Sequence, residues 1–271
     1  MKYQRITDTH VHTDNSPDGN HSAMLLCETA ENTGIRAIAF CDHCDVDVFY
    51  KDNYDRRVTQ AYFEVARARS AFLGKLLVLE GIELGEPAYE PELSEKIISS
   101  QEYDFVIGSL HNLRGREDFY YMTSFEGVDI DALVREYFDE LLIMTQWGKF
   151  DTIAHITYPF RYFYKVAGVT VDIQKYKKQT DELFSLLAEK DIALEINTAG
   201  LRQPINKTSP ELDSVKRFKQ LGGRMITVGS DAHYAEHLGA GIETGMDMAL
   251  EAGFKAVTIF QKRVPLEIPI E

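Results

Sequence analysis

The chain has 271 residues, 44% of them hydrophobic, and a net charge of −14 at pH 7. So acidic a composition argues against a nucleic-acid partner, because phosphate backbones are bound by basic surfaces. No apolar stretch approaches the ~20 residues of a membrane-spanning helix, and the first residues lack the apolar core of a signal peptide. We therefore expect a cytoplasmic protein that does not bind membranes. Three cysteines are too few for a disulfide framework, which agrees with a reducing compartment.

Strand-like apolar runs alternate with helical periodicity along the whole chain. The runs cover residues 6–12, 37–43, 76–84, 105–113, 152–157, 193–197 and 225–231. The helical segments include residues 23–33, 59–72, 129–147, 172–189 and 210–221. This alternation predicts a parallel sheet, and about seven units in one chain predict a TIM-barrel-like α/β fold. No linker divides the chain, so residues 1–271 are interpreted as one domain, with an open doubly wound sheet as the alternative.

Polar side chains of the types that bind metals lie at or just past the C-terminal end of the predicted strands. In Asp8-Thr-His10-Val-His12 they alternate along the first strand, which directs all three to one face. In a barrel such strand ends ring one face, so residues far apart in sequence meet there. Buried acids and imidazoles in one cluster favour a divalent metal, because a cation compensates for their desolvation. The other positions of this kind are His43, Glu83, His111, His155, Asn197 and Asp231.

Six short motifs in a fixed order carry a resemblance to a known family. The chain resembles the polymerase and histidinol phosphatase (PHP) superfamily over essentially its whole length. The longer strings at residues 102–111 and 195–202 are similar to its histidinol-phosphate phosphatase branch. This resemblance implies a distorted (β/α)7 barrel. The motifs are Asp8-Thr-His-Val-His12, Asp42-His43, Gly81-Ile-Glu83, Gly108-Ser-Leu-His111, Ala154-His155 and Gly229-Ser-Asp-Ala-His233.

The resemblance also implies two to three divalent metal ions, of zinc, manganese or iron. The implied ligands of the first metal are His10, His12, Glu83 and Asp231. Glu83 then bridges to a second metal, which His111 and His155 complete. Asp18, His43 and His233 are the implied ligands of the third.

Asp18 is a departure from many relatives, which carry His at this position. A carboxylate is the harder ligand and favours manganese or iron over zinc. Asp18 also lies in Ser16-Pro-Asp-Gly19, whose Pro-Asp-Gly is a strong turn signal, so it is interpreted as a ligand, a turn residue or both.

The ligand set predicts hydrolysis of a phosphate ester. A carboxylate shared by two metals, here Glu83, allows a bridging hydroxide to attack phosphorus in line, without a covalent enzyme intermediate. Asp231 or His233 is expected to shuttle the proton to the leaving alkoxide. Arg161 and Arg202 follow the fifth and sixth of the strands that carry these motifs, and forked guanidinium groups match phosphate oxygens, although each arginine could instead pair with a surface carboxylate.

The leading hypothesis is a metal-dependent phosphomonoesterase of histidine biosynthesis that hydrolyses L-histidinol phosphate to L-histidinol and inorganic phosphate. The alternative enzyme is a PHP-type phosphodiesterase or nucleotide phosphatase, of which Ser16-Pro-Asp-Gly19 is reminiscent. A metal-binding module without turnover is the third possibility, and the complete ligand set argues against it. For the substrate's ammonium and imidazole groups, the acidic and aromatic loop at residues 114–121 is a candidate contact.

Overall fold

The computed structural model describes residues 2–270, in which strands and helices alternate along the chain. The strands are β1 (Thr7–Val11), β2 (Ala37–Phe40), β3 (His43–Asp45), β4 (Leu77–Gly85), β5 (Phe105–Ser109), β6 (Thr152–Ile153), β7 (Ala193–Asn197), β8 (Ile226–Gly229), β9 (Ala256–Gln261) and β10 (Val264–Pro269). The helices are α1 (Ala23–Thr33), α2 (Tyr54–Ala71), α3 (Pro91–Ile98), α4 (Ile130–Trp147), α5 (Phe160–Ala167), α6 (Lys177–Glu189), α7 (Leu212–Gln220) and α8 (Ile242–Glu251).

The first eight strands form a parallel barrel with seven staves. The order is β1, β2, β4, β5, β6, β7 and β8, and β3 extends the β2 stave alongside β4. The barrel closes between its first and last staves, where the Asp231 N–H donates to the His10 carbonyl at 2.8 Å and the His12 N–H to the Ala232 carbonyl at 2.9 Å. This closure confirms the TIM-barrel-like prediction and excludes the open sheet.

The predicted strand at residues 37–43 is wrong in one respect, because it is two strands. β2 pairs with both β1 and β4, whereas β3 pairs with β4 alone. The reason is local: on the β1 side the His43 N–H donates to the Ser16 hydroxyl at 3.1 Å instead of to a strand carbonyl.

A C-terminal hairpin closes the N-terminal end of the barrel. Phe260 on β9 stacks on Phe105, the first residue of β5, with 5.3 Å between the ring centroids. The turn after β9 is tied to the same region, because the Lys262 N–H donates to Asp104 Oδ1 at 3.0 Å. With this end filled by side chains, the barrel is accessible from the C-terminal ends of its strands.

Helix boundaries differ from the sequence predictions mainly at their beginnings. The segment predicted at residues 172–189 begins with a 3₁₀ turn, Ile173–Tyr176, before α6, and α2 begins at Tyr54 instead of residue 59. Helices α3, α5 and α8 were not predicted. Among residues 2–270, no helix combines the length and the apolar character needed to cross a membrane.

Candidate metal centre

Glu83 lies between two pairs of imidazoles at the C-terminal end of the barrel. Its Oε2 atom is 3.3 Å from His10 Nε2 and 3.5 Å from His12 Nε2. Its Oε1 atom is 3.2 Å from His111 Nε2 and 3.0 Å from His155 Nε2. Oε2 also lies 2.9 Å from His43 Nδ1, an imidazole that reaches the third cluster with its other nitrogen. The two oxygens thus face different imidazoles, which is the arrangement expected of a ligand shared by two cations.

Asp231 borders the first pair from the end of β8. Its Oδ1 atom is 3.4 Å from His12 Nε2. The backbone of Asp231 has a φ of +54°, a left-handed conformation that is uncommon for residues other than glycine. The preceding Ser230 is fixed by Asp8, whose carboxylate accepts hydrogen bonds from both its N–H and its hydroxyl. The strained backbone is thus held at the position that turns this carboxylate toward the imidazoles.

A third cluster lies closer to solvent and contains Asp18, His43 and His233. Asp18 Oδ1 is 3.6 Å from His43 Nε2, and Asp18 Oδ2 is 3.2 Å from His233 Nε2. The side chain of Asp18 is 48% exposed, whereas that of Glu83 is fully buried. The turn predicted here is present as well, because the Gly19 N–H donates to the Ser16 carbonyl at 3.3 Å.

The buried atoms of these clusters fit a divalent cation. Among the described residues, five of them have no hydrogen-bond partner although they are inaccessible to solvent: His10 Nε2, His12 Nε2, His43 Nδ1, Glu83 Oε2 and His155 Nδ1, of which all but the last face the clusters. A buried polar atom without a partner costs free energy, so such atoms in native proteins are normally satisfied. A cation bound by their lone pairs removes this cost, and neutral imidazole with carboxylate is the donor set that zinc, manganese and iron accept.

Carboxylates outside the clusters orient two of the imidazoles. Glu195 Oε1 is 2.6 Å from His10 Nδ1, and Asp45 Oδ1 is 3.1 Å from His111 Nδ1. A ring that donates through Nδ1 presents the lone pair of Nε2 to a metal, as in carboxylate–histidine–metal arrangements. Sequence reasoning missed both carboxylates. The sequence could have indicated Glu195, because this residue lies two positions before Asn197 on the same strand and therefore points to the same face of the sheet.

The charges of the site favour an ionised Glu83 and a neutral His12. Burial alone would raise the pKa of Glu83, but imidazoles that include His10 and His43 hold it well below its usual range. Burial, together with the imidazoles of His233 and His43, lowers the pKa of His12 to about 3. Burial also acts to lower the pKa of His43, but Glu83 and Asp18 outweigh it and raise the value to about 10, so protons compete with metal there.

Arg161 reaches the centre from the first turn of α5. Its Nη1 atom is 3.8 Å from Asp231 Oδ2, and its guanidinium stacks on Tyr158 with 4.5 Å between Cζ and the ring centroid. The side chain is only 10% exposed, and its Nη2 atom is buried without a partner among the described residues. A rigid, buried guanidinium with a free donor beside a cationic centre is suited to bind an anion.

Arg202 has a different environment. Its Nη2 atom donates to the Ser230 carbonyl at 2.8 Å and to the Asp231 carbonyl at 3.3 Å, so it braces the segment that carries Asp231. Among residues 2–270 it pairs with no surface carboxylate, which was the alternative for both arginines.

The chain is similar to proteins of one family over nearly its whole length. The sequence model of the family described as PHP domain matches residues 8–199. A probable histidinol-phosphatase of Clostridium acetobutylicum is 28% identical over 96% of this chain and 98% of the relative, and the histidinol-phosphatase of Lactococcus lactis subsp. lactis is 28% identical over 93% of each. The crystal structure of the Lactococcus lactis histidinol phosphate phosphatase, complexed with zinc, L-histidinol and phosphate, superposes with a TM-score of 0.79 over 97% of this chain and 99% of that chain, at 23% identity.

Proposed function

The chain belongs to the PHP domain family, and we propose that it is a metal-dependent phosphatase that hydrolyses L-histidinol phosphate to L-histidinol and inorganic phosphate. The observation that carries the proposal is Glu83, whose two oxygens face two separate imidazole pairs beside the guanidinium of Arg161, of which the Nη2 atom has no hydrogen-bond partner among residues 2–270. Relatives named histidinol-phosphatase, matched end to end, support the substrate.

Three metal positions follow from the clusters. His10, His12, Glu83 and Asp231 hold the first metal, and Glu83, His111 and His155 hold the second. Asp18, His43 and His233 hold the third, which is the most exposed. When bound, divalent ions of zinc, manganese or iron lower the pKa of water toward 7 and offset the charge of the phosphate.

Arg161 binds a non-bridging oxygen of the phosphate. Within the described part of the chain its Nη2 atom has no hydrogen-bond partner, and its stacking on Tyr158 fixes the plane of the guanidinium before substrate arrives. Arg202 contributes through the donors that its backbone contacts leave free, so its removal also loosens the Asp231 segment.

Asp231 is the better placed of the two candidates for proton transfer. Its Oδ2 atom faces Arg161, on the side where the phosphate binds, and nearby imidazoles hold its pKa well below the usual range in spite of burial. It is therefore ionised, and it accepts a proton from the attacking water and passes it to the leaving alkoxide. His233 instead points Nε2 at Asp18, toward the third metal.

Asp118 is suited to bind the cationic end of the substrate. This half-buried carboxylate accepts a hydrogen bond from the Tyr158 hydroxyl at 3.0 Å and another from the Tyr120 N–H at 2.8 Å. Tyr158 is the ring on which Arg161 stacks, so the anionic and cationic groups of one small molecule span the distance between Arg161 and Asp118. In the same loop Glu117 is exposed to solvent.

A substrate panel tests the proposal. The metal-reconstituted protein is assayed with L-histidinol phosphate, with simple alkyl and aryl phosphate monoesters, and with phosphate diesters and nucleotides. We expect the highest kcat/KM for L-histidinol phosphate and no hydrolysis of diesters, because the guanidinium and the metals surround a dianionic group. Preferred hydrolysis of diesters or nucleotides would overturn it.

A further inference from the structure

The hydroxyl of Ser16 is enclosed between two of the proposed metal ligands. Its Oγ atom lies 3.1 Å from His12 Nδ1, 3.1 Å from the His43 backbone nitrogen and 2.7 Å from Asp42 Oδ1. Ser16 and Asp42 are both buried. A hydroxyl has one hydrogen to donate and two lone pairs, so these three neighbours use its capacity completely.

The directions of these hydrogen bonds are determined by Asp42. Its carboxylate accepts from the Thr13 N–H and from the Thr13 hydroxyl, each at 2.7 Å. The Ser16 hydroxyl is the third donor to this carboxylate. With Thr13 donors on both of its oxygens, Asp42 acts as an acceptor here, so the Ser16 hydrogen points to Asp42. The His43 N–H only donates, and it takes one Ser16 lone pair. The remaining lone pair accepts a hydrogen from His12 Nδ1.

A neutral imidazole that carries its hydrogen on Nδ1 has its lone pair on Nε2. In His12 that Nε2 atom faces Glu83 and Asp231 and has no hydrogen-bond partner among residues 2–270. We infer that Ser16, held by Asp42, is a positioning residue that fixes the Nδ1–H tautomer of His12 and so makes its Nε2 atom a ligand of the first metal. The inference rests on the proposed metal centre.

The same hydroxyl couples two clusters. It accepts a hydrogen bond from the N–H of His43, the first residue of β3, and the Nε2 atom of the His43 imidazole lies in the third cluster. Ser16 also accepts the Gly19 N–H with its carbonyl, which sets the turn that carries Asp18. Through its hydroxyl Ser16 thus supports one ligand of the first metal, His12, and one of the third, His43. His111 and His155 of the second cluster are linked to it only indirectly, through the contact of His43 with the shared Glu83.

The difference between the clusters gives a site-resolved test with ¹¹³Cd²⁺ as the probe. Wild-type protein, Ser16→Ala and the control Ser94→Ala are loaded with ¹¹³Cd²⁺ and compared by NMR and by titration. Ser94 is an equally buried serine, but its hydroxyl shares its one hydrogen between the carbonyls of Pro87 and Glu90. The resonance of the second cluster is identified by its loss in His155→Ala.

We expect Ser16→Ala to shift or broaden the resonances of the first and third metals and to weaken cadmium binding there by about 10–100-fold, the loss typical of partners that orient metal ligands. The second-cluster resonance should change least, and Ser94→Ala should leave every resonance unchanged. Equal changes of all resonances in Ser16→Ala, or an unchanged spectrum and affinity, overturn the inference. A wild-type protein without any cadmium resonance would instead contradict the metal centre itself.

Asp42→Asn tests the direction of the hydrogen bonds. The amide nitrogen of asparagine can donate to Ser16, which then turns its own hydrogen toward His12 Nδ1. Long-range ¹H–¹⁵N spectra of the zinc-loaded protein should show His12 protonated at Nδ1 in the wild type and a gain of the Nε2–H form in Asp42→Asn. A wild-type His12 protonated at Nε2 overturns the inference.

Discussion

Glu80 and Glu83 are buried on the same strand, β4, but they face opposite sides of it. Glu83 points into the barrel with the odd-numbered residues of the strand, among five imidazoles. Glu80 points outward to the helical layer, where the guanidinium of Arg69 lies near it. Alternation along a strand thus separates a proposed ligand from a carboxylate that has no part in the chemistry.

Glu83→Gln is expected to remove activity while the fold is retained. Glutamine offers one carbonyl oxygen and no charge, so it cannot provide an anionic oxygen ligand to each of the two metals. The loss of kcat should exceed the about 100-fold loss seen for partners outside the ligand shell, and metal content should fall. Phosphate release and elemental analysis measure the two effects, and Glu80→Gln is the matched control. Near-normal kcat with full metal content in Glu83→Gln would show that Glu83 does not bridge.

Glu80→Gln should itself change how stability depends on pH. Burial raises the pKa of Glu80 to about 9, from 4.5 in an exposed chain. Between these values the folded state keeps a proton that the unfolded state releases, so stability falls as pH rises, by up to ~1.4 kcal/mol per pH unit. Glutamine does not titrate. In urea unfolding we expect the free energy of unfolding of the variant to be close to that of wild type near pH 4.5 and higher than that of wild type at pH 8. An equal pH dependence of the two free energies would contradict this.

Arg161→Ala should weaken phosphate binding without loss of metal. A hydrogen bond to a charged group contributes about 1.5–3 kcal/mol, so kcat/KM should fall about 10–100-fold, and inorganic phosphate should inhibit more weakly. Arg202→Ala should share these effects and also lower the melting temperature, because its backbone contacts to Ser230 and Asp231 are lost. Unchanged phosphate inhibition in both variants would mean that the metals alone hold the phosphate.

Asp118→Asn should act on the substrate's cationic end. We expect a higher KM for L-histidinol phosphate and little change for an uncharged alkyl phosphate, because only the former has an ammonium group. Glu117→Gln, which changes an exposed carboxylate in the same loop, is the control and should leave both values unchanged. If Asp118→Asn impairs both substrates alike, Asp118 supports the site through Tyr158 instead.

The barrel and the positions of the clusters were predictable because they follow from simple periodicities. Strand alternation placed His10 and His12 on one face, and a closed barrel then brought Glu83 and Asp231 to them. Of the residues that orient the ligands, Ser16 and Asp45 were missed because they lie in a loop and a short strand without a periodic pattern, whereas Glu195 lies on a regular strand. Their roles depend on hydrogen-bond directions that appear only in three dimensions.

The C-terminal hairpin was missed for a different reason. Its second strand, β10, contains Pro265 and Pro269, which usually argue against a strand and are tolerated here at an edge. Its turn uses Lys262 and Arg263 at φ values of 51° and 63°, where a glycine-containing turn is the usual signal. Packing of Phe260 on Phe105 overrides both local preferences.

The central claim is tested most directly by phosphate release from L-histidinol phosphate before and after metal removal. The protein is stripped with a chelator, dialysed, and assayed alone and after addition of zinc, manganese or iron, with Glu83→Gln treated in parallel. We predict no release by the stripped protein, recovery with at least one of these metals, and no recovery in Glu83→Gln. Full activity in the stripped protein, or no activity on L-histidinol phosphate with any of the three metals, would contradict the account.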